Sequence, residues 1–180
     1  MRELRFHGRG GQGTVESCQL LTKALVQDGL YAQFIPSFGV ERKGAPVFGF
    51  FRMDDKEIRP KTQVYNPDLI VISDETLIGL VDVFTSNKEE CSVLINTKKP
   101  GSAFEIPDNV TKVATVDATT IALNLIGKDI PNTAMLGALA GIEDSINPET
   151  LTELVSRRFG ELNTQAFRAG FERTAIWVRG

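Results

Sequence analysis

The stretch Phe6-His7-Gly8-Arg9-Gly10-Gly11-Gln12-Gly13 is the most informative part of this chain, because four of its last six residues are glycine. It follows a short apolar run at residues 4–6, which predicts a strand, and precedes an amphipathic pattern that predicts a helix over residues 14–28. A strand, a glycine turn and a helix N-terminus in this order leave backbone N–H groups available to an anion. Arg9 adds a positive charge. The sequence therefore predicts a phosphate-bearing ligand at this turn.

Composition narrows the class of protein. The 180 residues are enough for one domain, and a net charge of -3 gives no basic excess of the kind that nucleic-acid binders carry. No apolar run is long enough to span a bilayer, and residues 1–5 lack the apolar core of a signal peptide, so we expect a cytoplasmic protein. Two cysteines are too few to ligate an iron–sulfur cluster, and Cys18 is expected to be buried.

The rest of the chain alternates strands and helices. Strands are predicted at residues 4–6, 31–35, 47–53, 69–72, 91–95 and 112–116. Further helices are predicted at 73–83, 118–126, 132–141, 148–158 and from about 164 to the region of Trp177 and Val178. The first strand–helix–strand unit predicts that strands one and two are parallel. The fold class is a single three-layer α/β domain over residues 1–180, with a mostly parallel sheet, a β-hairpin insertion and a helical C-terminal third.

The hairpin is expected to form when the strand at 47–53 turns at Asp54-Asp55 and returns through residues 57–59. Its aromatic run, residues 48–51, is hard to bury in one hairpin and would mark a protein partner if exposed. The small residues of the helix at 132–141 permit close approach of another helix, either inside the domain or at a subunit interface.

A second motif, Ser37 to Pro46, leaves the carboxyl end of strand two and is expected beside the glycine turn. Arg42 and Lys43, flanked by Gly39 and Gly44, could clamp a phosphate, although a solvated charged loop explains the same charges. The candidate ligand-binding residues are Gly8, Arg9, Gly10, Gly11, Gln12, Gly13, Ser37, Gly39, Glu41, Arg42 and Lys43.

NAD is disfavoured as the ligand of this turn, because strand two ends at Ile35-Pro36-Ser37 without the acidic residue that would hold the ribose. The G-x-G-x-x-G pattern also has a purely structural interpretation, in which the glycines only let helix and sheet pack closely. His7, the only histidine, has no carboxylate or cysteine at a spacing that would make a catalytic pair or a metal site, so a structural role is expected. No catalytic residue and no metal ligand is predicted.

Residues 5–13 and 35–46 together resemble the gamma subunit of the 2-oxoacid:ferredoxin oxidoreductase family, and in particular its pyruvate branch. Shorter matches extend the resemblance over nearly the whole chain; they are Asn66-Pro67-Asp68, Thr97-Lys98, Val116-Asp117-Ala118, residues 132–138 and Ala166-Phe167. The Ala45-Pro46 form is similar to the pyruvate or branched-chain branch, whereas Lys43 stands where arginine is frequent. Lysine there would give a point charge in place of a bidentate grip.

The resemblance implies an enzyme that oxidatively decarboxylates a 2-oxoacid with coenzyme A and reduces ferredoxin. Thiamine diphosphate, magnesium and iron–sulfur clusters would lie on alpha, beta and delta partner subunits. The gamma part would contribute to the coenzyme A side, and the chain alone would be inactive, with self-association left open. Two alternatives remain: a purely structural assembly subunit, and a free-standing Rossmann-type nucleotide-binding protein.

Overall fold

The structure, a computed structural model, describes residues 1–38 and 44–179, and over these it forms one mixed sheet with helices against it. The strands are β1 (Arg2–Arg9), β2 (Tyr31–Phe38), β3 (Pro46–Asp54), β4 (Leu69–Ile72), β5 (Cys91–Asn96), β6 (Val110–Val116) and β7 (Ala175–Val178). The helices are α1 (Thr14–Gln27), α2 (Ala118–Ile126), α3 (Asn132–Ala140), α4 (Pro148–Phe159) and α5 (Glu161–Arg173). Short 3₁₀ turns lie at Glu75–Leu77 and Gly101–Ala103.

The strand order is β2-β3-β1-β4-β5-β6-β7. The four central strands, β1, β4, β5 and β6, are parallel, and β3 and β7 are antiparallel to their neighbours. The predicted α/β domain with a mostly parallel core and a helical C-terminal portion is confirmed. The parallel core has its carboxyl ends on one edge, which is where ligands bind in open α/β sheets.

Helices from the whole chain cover one face of the sheet. Leu4 and Phe6 of β1 point to this face and share one apolar cluster with residues of α1 to α5, including Cys18, which is fully buried as expected. The small residues of α3 pack internally: a Cβ on Gly137 would lie 1.9 Å from the backbone oxygen of Phe167 in α5. The interpretation of this helix as an internal packing element is therefore the one that the structure supports.

The opposite face carries loops. A second apolar cluster joins Ile70, Ile72 and Val93 of the sheet to Leu77 and Val83 of the segment after β4. Because side chains alternate along a strand, the neighbours of Leu4, Phe6 and Phe51 point to this face, and they include two arginines. The middle layer of the domain is the sheet, and its third layer is irregular.

Those two arginines hold the loops by their backbone. Arg5, 8% exposed, donates to the carbonyl oxygens of Val83 (2.8 Å) and Thr85 (3.0 Å). Arg52, 2% exposed, donates to the carbonyls of Thr62 (2.8 Å) and Gln63 (3.0 Å) and pairs with Glu3 at 2.9 Å. On this side of the sheet, the covering layer is thus made of loops that are held by buried hydrogen bonds, and not of packed helices.

The predicted hairpin has the wrong partner strand. β3 pairs with β2 over residues 47–54, and residues 57–59 form no strand. β3 also lies between β1 and β2, so those two strands run in the same direction without being neighbours. Pro36, expected to end strand two, lies within β2 opposite Gly49, which is possible because β2 is an edge strand.

Three further expectations fail for local reasons. The helix predicted at 73–83 reduces to one 3₁₀ turn, because Leu77 and Val83 must both reach the second apolar cluster across Gly79. The last helix ends at Arg173, and Trp177 instead packs on that same cluster from β7. The aromatic run in β3 is largely buried: Phe51 lies between Phe6 and Phe34, so no exposed patch results.

Candidate functional site

The glycine turn connects the carboxyl end of β1 to the first turn of α1. β1 extends through Arg9, further than the apolar run predicts, so the turn itself is residues 10–13. Gly13 is the N-cap residue with φ 75°, a left-handed conformation that favours glycine. Since glycine contributes no capping side chain, the first N–H groups of α1 are left with their partial positive charge at the mouth of the turn.

Two of the four glycines have a packing reason. A Cβ on Gly8 would lie 2.4 Å from Thr14 Oγ1, and one on Gly13 would lie 2.6 Å from Asn132 Nδ2 at the start of α3. These positions bring α1 and α3 close to the strand end, as the structural interpretation of the motif proposes. Gly11 differs, because it is exposed and has φ 93°, so its backbone faces solvent.

The turn and the second motif are joined where the second motif ends. Gly10 N donates to Ala45 O at 2.9 Å, and Gly44 N donates to Gly10 O at 3.0 Å. Ser37 is half-buried in β2 opposite Phe48. The expected proximity of the two motifs is confirmed at residues 44 and 45, whereas Gly39, Glu41, Arg42 and Lys43 lie outside the described residues.

Arg9 holds this junction from the side. Its Nε donates to Asp74 Oδ2 at 2.7 Å, one terminal nitrogen donates to Gly44 O at 3.0 Å and the other to Thr76 Oγ1 at 2.7 Å. Hydrogen bonds from Thr76 and Arg9 outweigh the effect of partial burial, so the pKa of Asp74 lies below its usual range. The guanidinium therefore braces the turn against the end of β4.

Gln12 has two neighbours of different kinds. Its side-chain oxygen accepts from the backbone N–H of Arg9 at 2.8 Å, which closes the turn from within. Its other side lines a polar cleft of about 460 Å³ beyond the carboxyl ends of β4, β5 and β6. Asn96 supports the cleft wall by donating to Ser73 O and to Thr119 Oγ1, both at 2.9 Å.

The cleft carries both signs of charge. Lys98 Nζ lies 3.9 Å from Asp117 Oδ2, and Lys99 Nζ lies 3.4 Å from Glu75 Oε2. The side chain of Lys98 is 75% exposed and that of Lys99 is 59% exposed. Such exposed pairs are weak and easily exchanged for a ligand. The cleft can therefore offer cations, hydroxyls and amides to a polar molecule that also reaches the glycine turn.

His7 lies below the turn, on the loop-covered face. Its Nε2 accepts from Arg5 Nε at 3.1 Å and its ring meets Phe48 edge to face, with the centroids 5.2 Å apart. Burial, helped by the nearby Arg5 charge, lowers the pKa of His7 to about 3. The ring is thus neutral near pH 7, and these contacts favour the structural role that the sequence predicts. Burial likewise raises the pKa of Cys91 to about 11, so this thiol stays protonated.

Apart from Gln12, the sequence predicts no role for the cleft residues. A pattern could have indicated them: Ser73-Asp74, Asn96-Thr97 and Asp117 each come at or just after the end of a buried parallel strand. The carboxyl ends of parallel strands share one edge of the sheet, so polar residues at these ends converge.

Comparisons with known proteins agree with this architecture. The family model for pyruvate ferredoxin/flavodoxin oxidoreductase matches residues 3–173. The chain is 47% identical over 176 residues to pyruvate synthase subunit PorC of Methanothermobacter thermautotrophicus, covering 96% of this chain and 95% of that one. It is 44% identical over 183 residues to the pyruvate/ketoisovalerate oxidoreductases common subunit gamma of Thermococcus litoralis, covering 98% and 99%.

The same relationship holds in three dimensions. The crystal structure of pyruvate oxidoreductase subunit PORC from Thermotoga maritima superposes with a TM-score of 0.83 at 34% identity, covering 97% of each chain.

Among the described residues, no helix has both the length and the apolar character needed to cross a membrane.

Proposed function

This chain belongs to the pyruvate ferredoxin/flavodoxin oxidoreductase family, where it corresponds to the gamma subunit, and we propose that it forms the coenzyme A side of such an enzyme. The enzyme would convert pyruvate or a related 2-oxoacid, with coenzyme A, to acyl-CoA and CO2 while reducing ferredoxin. Thiamine diphosphate, when bound to a partner subunit, supplies the carbon–carbon bond cleavage. This chain would bind and orient the thiol substrate.

One observation carries the proposal beyond family membership. The glycine turn and the second motif, which are more than 20 residues apart in sequence, are hydrogen-bonded to each other at Gly10, Gly44 and Ala45. Coenzyme A carries a diphosphate and a ribose phosphate, so it needs several cations and N–H donors at one place. In the proposal, the turn supplies the N–H groups of Gly11 and Gly13, since that of Gln12 donates to Arg9 O at 3.1 Å, and Arg42 and Lys43 supply charge.

Arg9 has a different role in this proposal from Arg42 and Lys43. Its guanidinium is committed to Asp74, Thr76 and Gly44, so it positions the turn rather than offering a free charge. Gln12, Ser37, Gly39 and Glu41 stay predictions as members of the site. The polar cleft beside Gln12 gives a bound molecule room to extend along the edge of the sheet.

Steady-state kinetics of the assembled complex test the proposal. The double variant Arg42→Ala/Lys43→Ala should raise KM for coenzyme A by roughly 10-fold or more, since a hydrogen bond to a charged group contributes about 1.5–3 kcal/mol. KM for the 2-oxoacid should not change, because that substrate reacts on the partner's thiamine. The matched control is Lys56→Ala/Lys61→Ala, which removes two cations from exposed positions after β3.

Each alternative has its own outcome. If the double variant leaves KM for coenzyme A equal to that of the control, the chain is a structural assembly subunit and the ligand role is wrong. If calorimetry shows NAD or FAD binding to the chain alone, the free-standing nucleotide-binding alternative is supported. We expect neither, and we expect no decarboxylation of pyruvate by the isolated chain.

The proposed partners are an alpha subunit, a beta subunit with thiamine diphosphate and magnesium, and a ferredoxin-like delta subunit with iron–sulfur clusters. Ferredoxin would accept the electrons of the whole complex. We place this complex in the cytoplasm, and co-fractionation of the chain with soluble pyruvate oxidoreductase activity tests that location.

A further inference from the structure

The last two helices leave an open groove between them. α4 and α5 are joined through Gly160 alone, whose φ of 83° lets the chain reverse direction in one residue. The groove between them has a volume of about 500 Å³ and is lined by residues of α4 and α5. It is large enough to receive side chains from another molecule.

Two phenylalanines one helical turn apart form the apolar part of this groove. Phe167 is 1% exposed and belongs to the core that joins α5 to the rest of the helical layer. Phe171, two residues before the end of α5, is 40% exposed, a high value for a large aromatic side chain. Its exposed ring gives the groove an apolar end that reaches solvent.

The rim of the groove is acidic. Four carboxylates line it, at Glu149, Glu153, Glu161 and Glu172, against the single guanidinium of Arg168. The chain itself explains some of them. Glu149 and Glu161 lie in the first turns of their helices, where an acid favours the helix dipole, and Glu153 lies 3.3 Å from Arg157.

Glu172 has no such explanation. It lies one residue before the end of α5, where a negative charge opposes the helix dipole, and it follows directly on the exposed Phe171. An exposed aromatic ring and an acid that is unfavourable for its own helix thus stand together at one end of an acidic groove. A partner that covers the Phe171 ring and places cations beside Glu172 would remove both the exposed apolar surface and the unfavourable charge.

From this charge and shape we infer that the α4–α5 groove is a docking site for a basic amphipathic segment of a partner subunit. One large apolar side chain of that segment packs on Phe171, and flanking lysines or arginines face Glu153 and Glu172. The inference rests on the assembly part of the proposed function and is independent of coenzyme A binding.

The experiment measures how tightly the full chain binds the remaining subunits of the complex, purified together without it, by sedimentation velocity at low and high salt. The test variant is Phe171→Ser/Glu172→Lys, and Glu172→Lys alone changes only charge. The matched control, Leu162→Ser/Glu89→Lys, removes one exposed apolar side chain and reverses one exposed acid outside the groove. Thermal unfolding of each lone variant checks that it is folded.

We expect the double variant to bind at least about 10-fold more weakly than the control. Glu172→Lys should weaken binding mainly at low salt, because the charge contribution is screened. Equal binding by test and control variants overturns the inference while leaving the proposed function intact. If wild type itself does not bind the other subunits, both fall together. Carbodiimide cross-links from Glu153 or Glu172 to a second copy of this chain would also overturn it.

Discussion

The two faces of the sheet are covered by different means. On one face, five helices of the described chain pack through apolar side chains and, between α3 and α5, through direct backbone contact. On the other, loops lie over the sheet, held by Arg5 and Arg52 through hydrogen bonds to backbone carbonyls and by a smaller apolar cluster. The helical face depends on shape, whereas the loop face depends on a few buried polar groups.

This difference has a consequence for how each face fails. A close-packed interface has no room for an added atom, so even one methyl group separates its elements. A loop that is held by a guanidinium loses its anchor when that group is removed, and its carbonyls are then left without a donor. Both faces include side chains of β1, the strand that leads into the glycine turn: Phe6 lies on the helical face and His7 on the loop face.

The largest effect is expected where the helices touch. A Cβ at Gly170 would lie 2.0 Å from the backbone oxygen of Ala134, and one at Gly137 would lie 1.9 Å from that of Phe167. Gly170→Ala should therefore lower the free energy of unfolding by at least about 3 kcal/mol, the upper range for overpacking, despite alanine's higher helix propensity. Urea unfolding followed by far-UV circular dichroism measures it.

The loop face provides the control. Gly79 has no atom within 4 Å of an added Cβ and lies in the segment after β4. Gly79→Ala should change the free energy of unfolding by less than about 0.5 kcal/mol. Equal effects of the two substitutions would show that α3 and α5 are not in backbone contact.

Removing the anchor on the loop face should have the next largest effect. Arg5→Met keeps the buried hydrocarbon but leaves the carbonyls of Val83 and Thr85 without their donor, which should destabilise the protein by about 2 kcal/mol. Amide hydrogen exchange should accelerate in residues 81–88 more than in α3. The control is Arg59→Met, at a side chain that is 86% exposed. Uniform acceleration across both regions would contradict a local anchoring role.

The same difference explains what could be predicted. Helices α1, α2 and α4 follow from apolar spacing and end signals such as Gly127 and Asn147, and these were identified from sequence. The pairing of β3 with β2 could not be predicted from the sequence, because it depends on which strand edge remains open once the sheet forms. The arginine anchors give no periodic pattern, so the sequence wrongly predicts a helix at 73–83 in the segment that they hold.

The candidate site was predicted in part for the same reason. The glycine turn has a local pattern, and its contact with Gly44 and Ala45 followed from the rule on strand ends. The pairing of Arg9 with Asp74 joins residues that are 65 positions apart, and no local pattern indicates it. Phosphate binding by Arg42 and Lys43 stays a prediction that the kinetic experiment tests.

The effect that is smallest at neutral pH is a pH dependence on the loop face, at His7, because it develops only as the pH falls below 6.5. The pKa of His7 is lowered to about 3 by burial and by the Arg5 charge, against an ordinary value of 6.5. Between pH 6.5 and about 3, His7 therefore binds a proton in the unfolded chain but not in the folded chain. The free energy of unfolding is unaffected by His7 above pH 6.5 and decreases as the pH falls toward 3. The control variant is His7→Gln, whose side-chain oxygen can still accept from Arg5. Across that window the free energy of unfolding of wild type, measured with urea, should decrease by about 1.4 kcal/mol per pH unit more than that of the variant. Parallel curves would show that His7 is accessible to protons in the folded state.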